Sequence, residues 1–206
     1  MSGKPAYEYI PAFNVSLFLS TNKSDVNSAL KQKFAAGRVI RTRIIDEEDA
    51  SELRVAFDFD GVIADDEAER VYKRDGIEKY YEYETKHSQE PLNPGPLADF
   101  FKKLSYFQKL ESKKEADNPK YKKILKTAII TARNAPAHER AVNTLNKWGV
   151  TVDEMFLLGG VEKKRVLDIM KPHLYFDDQL IHLDDNIQNI PLVHIPFGIS
   201  NEKEKN

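Results

Sequence analysis

"RVAFDFDGVIADD", Arg54 to Asp66, is an apolar run that ends in two aspartates one residue apart, Asp58 and Asp60, followed at once by Gly61. Two local folds fit it. Asp-Gly between apolar runs is a strong β-hairpin signal, with Asp60 and Gly61 filling a type I′ turn. Alternatively the run is a parallel strand. Two-residue alternation then sets Asp58 and Asp60 on the same side of its C-terminal end, in the crevice where open α/β sheets bind ligands. Gly61 would supply the sharp turn that follows.

The other apolar runs break the tie. "LRVAF" (Leu53 to Phe57) is accompanied by "VSLFLS" (Val15 to Ser20), "TAIIT" (Thr127 to Thr131) and "LYF" (Leu174 to Phe176), with "MFLLGG" (Met155 to Gly160) and "LVHIPFG" (Leu192 to Gly198) as further candidates. They are apolar without alternation, as strands covered on both faces are, and helical patterns lie between them. The spacing predicts an α/β fold with a doubly wound, mostly parallel sheet. Pro96 is placed to be the first residue of a helix carrying Leu97, Phe100, Phe101, Leu104 and Phe107. A second helix carries Ala141, Val142, Leu145 and Trp148 ahead of Gly149, and Ser24 is expected to cap a third through Val26, Ala29, Leu30 and Phe34 that ends near Gly37.

From Asp60 to Thr131 the chain is more than twice as long as the ~30 residues of a βαβ crossover. An insertion is therefore expected, with a helical start (Ala68, Val71, Tyr72) and a break at "PLNPGP" (Pro91 to Pro96). This predicts a core of residues 13–63 and 111–200, a small helical cap of 64–110, and mobile tails at 1–12 and 201–206. The lysine-rich stretch Lys109 to Lys126 reads as a solvated loop. Tyr80, Tyr81 and Tyr83 of the cap read as packing residues, with stacking on a planar ligand as the alternative.

Composition narrows the function classes. The 206 residues include 31 basic and 33 acidic ones, a formal net charge of -2, so broad electrostatic contact with a nucleic acid polymer or an anionic membrane is not expected. There is no cysteine, which excludes thiolate chemistry. The start lacks an apolar h-region and no run approaches the ~18 residues of a bilayer span, so a cytoplasmic protein acting on a small molecule is expected. A homo-oligomer is compatible with the sequence.

Chemistry-bearing residues collect where the predicted strands end: Asp58 and Asp60, Thr131 in "AIITAR", Lys163 and Lys164 after "FLLGG", and Asp177 and Asp178 in "YFDDQ". Two carboxylates about 4 Å apart repel by roughly 4 kcal/mol at an effective dielectric of 20, and a third adds to this. Such a cluster calls for a cation. All-oxygen donors favour a hard ion, and Mg²⁺ held by a few carboxylates beside a phosphate is the usual case. His87, His138, His173, His182 and His194 have no metal-ligand spacing and read as surface or core histidines. "GGVEKK" is too short for a P-loop and lacks its Ser or Thr.

Taken in order, the acid pair, Thr, Lys and Asp-Asp resemble the four motifs of the haloacid dehalogenase (HAD) superfamily. The chain is similar more closely to the cytosolic 5′-nucleotidase I family, through "VSLFLS", "RVAFDFDGV", "DDEAERV", "PLNPGPL", "ITAR", "WGVTVDEMFLLGG", "KPHLYFDDQ" and "HIPFG". The resemblance implies a HAD-like Rossmannoid core with a helical cap after the first motif strand. It also implies Mg²⁺-dependent hydrolysis of nucleoside 5′-monophosphates through an aspartyl-phosphate. Asp58 would be the nucleophile, Asp60 the general acid and base, and Thr131 and Lys163 the phosphate ligands, with Ala132, Arg133 and Lys164 completing that set and Lys164 a rival for the lysine role. Asp58, the backbone carbonyl of Asp60, and Asp177 would hold Mg²⁺, with Asp178 supporting or sharing the site. The chain departs from the family pattern at Phe59 and Gly61, where Gly and Ala are expected. A phosphatase of another small phosphomonoester, such as a sugar phosphate, and a non-catalytic nucleotide- or metal-binding protein remain as alternatives.

Overall fold

The structure, a computed structural model, describes residues 3–40, 51–183, 186–187 and 189–202. The outermost parts of both expected tails lie outside the described residues. Seven strands form one sheet: β1 (Phe18–Ser20), β2 (Ala36–Ile40), β3 (Leu53–Phe57), β4 (Leu125–Thr131), β5 (Glu154–Leu157), β6 (Leu174–Asp177) and β7 (Leu192–His194). Their spatial order is β1-β2-β7-β6-β3-β4-β5, and every pair is parallel except β2 with β7. The Asp-Gly hairpin is thereby excluded. "LRVAF" is the central strand of the parallel block β7-β6-β3-β4-β5, and Val55, Ala56 and Phe57 are buried.

Alternation along β3 sends Val55 and Phe57 to one face and Ala56 to the other. On the first face Phe57 stacks on Phe176 with ring centroids 5.0 Å apart and meets Phe101 edge-on at 5.3 Å. Helices α3 (Ala98–Asp117) and α4 (His138–Trp148) cover it with Leu97, Phe101, Ala141 and Leu145. The second face joins Ala56, Ala128, Ile130 and Tyr175 to Leu167 of α5 (Lys163–Met170). α4 ends as expected, with Gly149 in the left-handed region at φ 64°.

Several expectations are corrected. Helix α1 (Lys23–Lys31) is capped by Asn22, whose Oδ1 accepts from the Ser24 backbone at 2.9 Å, not by Ser24 itself. The helix also stops before Gly37. That glycine lies inside β2, where a Cβ would come within 2.3 Å of Val193 Cγ1, so it serves a close strand approach rather than a helix end. α3 begins at Ala98, two residues after Pro96, and continues through the first half of the lysine-rich stretch. In the segment 3–12, expected to be mobile, Ala6–Tyr9 forms a 3-10 turn and Ile10 packs against Val26 and Ala29 of α1.

Of the stretch 64–110, α3 lies on the sheet, and α2 (Glu67–Lys86) is the part that borders the strand ends. α2 is broken at Gly76, whose φ of 82° and ψ of 179° leave the helical region. Among the described residues no helix is long and apolar enough to cross a membrane.

Candidate active site

The register of the central strands assembles the site. Phe57 lies opposite Phe176 and Ile129, so Asp58 emerges level with Asp177 on one side, and Thr131 closes β4 on the other. Lys163 arrives at the first position of α5. Asp58, Thr131 and Lys163 line a cleft of about 480 Å³ between the strand ends and α2, within the range of small-molecule sites, with Asp177 buried behind it.

Asp58 is 5% exposed and ion-paired with Lys163, Oδ1 to Nζ 2.9 Å. Burial, reinforced by Asp177 and Asp60 and opposed by Lys163, raises its carboxyl to about 7. Lys163 Nζ also reaches Asp177 Oδ2 at 2.7 Å, and against its own burial the two carboxylates hold it firmly protonated. Lys164 instead points outward and pairs with Asp168. Lys163 is thus the lysine at the strand ends, and Lys164 occupies the outward side of α5.

The two aspartates at the end of β6 differ sharply. Asp177 accepts from Lys163, the Tyr175 hydroxyl and the Gln179 backbone at 2.8 Å, and His182 Nδ1 lies 3.2 Å from each of its oxygens. Burial works against its charge, yet Lys163 and His182 hold its carboxyl well below the usual range. Asp178 is 1% exposed, and neither side-chain oxygen has a hydrogen-bond partner among the described residues. Burial first, then Asp58, Asp177 and Glu69, push it up to about 10. Among the described residues Asp58, Asp177 and Asp178 can each offer an oxygen, all within 4.8 Å of one another.

Gly61 explains its own identity. With φ at 73°, it presses against Asp178, and a Cβ there would lie 2.7 Å from that carboxyl. Alanine at this position would crowd the unpaired aspartate.

Asp60 turns its carboxylate toward Arg133, which grips both oxygens through Nε and Nη2 at 2.7 Å each. Arg133 also donates to Glu84 of α2 and, at 2.9 Å, to the Ala137 carbonyl, and its guanidinium lies over the Phe59 ring at 5.4 Å. Four of the five guanidinium N–H groups are thereby engaged, which leaves one Nη2–H of the side chain, on the cleft, for the expected phosphate contact. Its backbone N–H donates to Thr131 Oγ1 at 3.2 Å, and Ala132 lies exposed on the cleft beside it.

Glu84 itself is fully buried, paired a second time with Arg140 at 2.9 Å, and Arg140 reaches Glu67 at 3.4 Å. The sequence reading left Glu84, Arg140 and the Tyr175 hydroxyl without a role and took His182 for a surface or core histidine, whereas it borders Asp177. Tyr175 had a usable signal, two residues before Asp177 on the same strand face. Glu84 had none, since in "YYEYETKH" it looks like any acidic residue of a solvated helix.

What this arrangement can do follows from its parts. A buried carboxylate faces a lysine, a hydroxyl and a second acid, beside carboxylate oxygens that lack a partner. That set suits nucleophilic attack on an anionic, tetrahedral group with a divalent cation present. A family model described as 5′-nucleotidase matches residues 1–202. The chain is also 32% identical over 183 residues to cytosolic 5′-nucleotidase 1B of Homo sapiens. The match covers 88% of this chain and 30% of that relative, so the chain corresponds to under a third of the relative's length.

Proposed function

Because the chain belongs to the cytosolic 5′-nucleotidase I family, we propose that it hydrolyses nucleoside 5′-monophosphates to nucleoside and phosphate, through an aspartyl-phosphate on Asp58 and with Mg²⁺ as cofactor. The observation that carries this reading is the Lys163 bridge between Asp58 and Asp177 beside the unpartnered Asp178. The relative's name includes "cytosolic", which supports a cytoplasmic location for this chain as well.

The residues present fit a divalent cation. A buried carboxylate without a single hydrogen bond is costly unless a cation completes it. Asp58 and Asp178, with the Asp60 carbonyl that the resemblance implies, would be its donors. Asp177, whose oxygens are already shared among Lys163, Tyr175, Gln179 and His182, serves mainly to fix the lysine. This exchanges the parts that the resemblance assigned to the two aspartates. When bound, Mg²⁺ supplies positive charge that lets the carboxylates coexist and draws the phosphate into the cleft.

The chain's own residues then account for the chemistry. Asp58 Oδ attacks phosphorus while Lys163 and Thr131 Oγ1 offset charge on the non-bridging oxygens. Asp60 gives a proton to the departing ribose 5′-oxygen. It then takes one from the water that attacks the aspartyl-phosphate, breaking its P–O bond to Asp58 and releasing phosphate. The cap helix brings Tyr80 and Tyr81 to the cleft, where they exclude water and face the nucleoside.

The test is phosphate release from a panel of nucleoside 5′-monophosphates, 3′-monophosphates and sugar phosphates, with Mg²⁺ and with EDTA, beside Asp58→Asn. Release confined to 5′-monophosphates, abolished by EDTA and by the substitution, is expected. Release mainly from sugar phosphates would overturn the substrate, and none from any substrate would overturn the hydrolase reading.

A further inference from the structure

Asp60 must change roles within one catalytic cycle, so what orients it matters. Arg133 holds both of its oxygens in a planar fork. A guanidinium has five donors and no acceptor, so this geometry suits the carboxylate, the form that takes a proton from water. Arg133 is in turn fixed on three sides: by Glu84 on the cap, by the Ala137 carbonyl, and by Phe59 beneath its plane. Of these only Glu84 carries charge. It is buried, and its two partners are Arg133 and Arg140.

We propose that Glu84 is a positioning residue for Asp60, acting through Arg133, and that the pair serves the hydrolytic half of the reaction, in which Asp60 deprotonates the water that attacks phospho-Asp58. The inference rests on the hydrolase reading above. It assigns a function to a cap residue that touches neither phosphate nor metal. The chain of contacts is direct: Glu84 carboxylate, Arg133 guanidinium, Asp60 carboxylate. Removing the first link frees Arg133 to rotate, and Asp60 then loses the single orientation in which its oxygen meets the water. Misplacement of a reacting group by about 1 Å costs on the order of 10²-fold in rate.

p-Nitrophenyl phosphate isolates this step, because its leaving group departs without a proton and the phospho-enzyme forms whether or not Asp60 is in place. Glu84→Gln and Arg133→Lys, each checked for folding by circular dichroism, are compared with the parent protein and with Asp60→Asn. In both variants kcat is expected to fall by roughly 10- to 10²-fold, with KM falling in the same proportion. A burst of one p-nitrophenol per enzyme should precede the slow phase, with phospho-Asp58 accumulating, as it should more strongly in Asp60→Asn. Arg133→Lys keeps the buried positive charge and so covers the case in which Glu84→Gln does not fold.

A drop in kcat with unchanged KM and no burst would reduce Glu84 and Arg133 to structural residues and overturn the proposal. Faster phospho-enzyme breakdown in either variant would do the same, by making Arg133 a restraint on Asp60. A parent protein that releases phosphate from neither p-nitrophenyl phosphate nor any nucleotide refutes the hydrolase reading first and the positioning role with it. A burst defect in an active enzyme separates the two.

Discussion

Asp178→Asn should make the metal-free protein more stable and nearly blind to Mg²⁺. Asp178 is buried against Asp58 and Asp177 with oxygens within 4.8 Å, and its carboxyl is raised from 3.8 to about 10. A group whose folded-state value is raised favours the protonated form. Its cost is therefore absent below pH 3.8 and grows as pH rises toward 10. Between 3.8 and pH 7 this amounts to about 4 kcal/mol. Coulomb repulsion gives a similar size, about 3 kcal/mol per pair at that separation and an effective dielectric of ~20, with Lys163 offsetting part of it. Asparagine keeps the shape and removes the cost of protonating the buried carboxyl on folding, and its amide can donate to the flanking carboxylates. A gain of about 2–3 kcal/mol in EDTA at pH 7 is expected, roughly 5–10 °C in Tm for a chain of this size. Thermal unfolding at pH 5, 7 and 8 reads it, and the gain should widen with pH. Mg²⁺ at a hundredfold excess over Kd should stabilise the parent by about 3 kcal/mol, seen as a higher Tm, and leave the variant nearly unmoved. A variant less stable than the parent in EDTA at pH 7, or a gain that shrinks as pH rises, would refute the reasoning.

Lys163→Met should abolish phosphate release and lower stability by about 3–5 kcal/mol in urea titrations, since it strands Asp58 and Asp177 without their shared cation. Gly61→Ala combines a φ of 73° with a Cβ 2.7 Å from the Asp178 carboxyl. It should weaken Mg²⁺ binding measured by calorimetry and cost about 1–2 kcal/mol in stability. Phe101→Ala empties the contact under Phe57 and should cost about 3–5 kcal/mol in unfolding experiments while KM for the nucleotide stays at the parent value.

Much of this was legible in the residues, for identifiable reasons. β3, β4 and β6 are continuous apolar runs because both faces are covered, so their ends, and Asp58, Thr131 and Asp177 with them, could be read directly. β2 was not, because "AGRVI" is short, edge-proximal and contains Gly37, which reads as punctuation until Val193 is seen packed against it. Spacing showed two adjacent aspartates at the end of β6 but not their unequal hydrogen bonding. That depends on Tyr175, Gln179 and His182 converging on one of them. The position of Arg133 beside Thr131 suggested phosphate. Only the fold brings Glu84, a distant cap residue, to its other side.

α2 buries just Ala68, Val71 and Glu84 along its twenty residues, so its seat on the core rests chiefly on the paired charges of Glu84, Arg133 and Arg140. Apolar surface is what gives a conformational change its heat capacity. Separating α2 from the core would expose little of it, so the enthalpy of that separation should hardly vary with temperature, in contrast to the strongly curved unfolding of the sheet beneath. Because the desolvation cost of ion pairs falls on warming, warming below the unfolding transition should tighten this helix against the core.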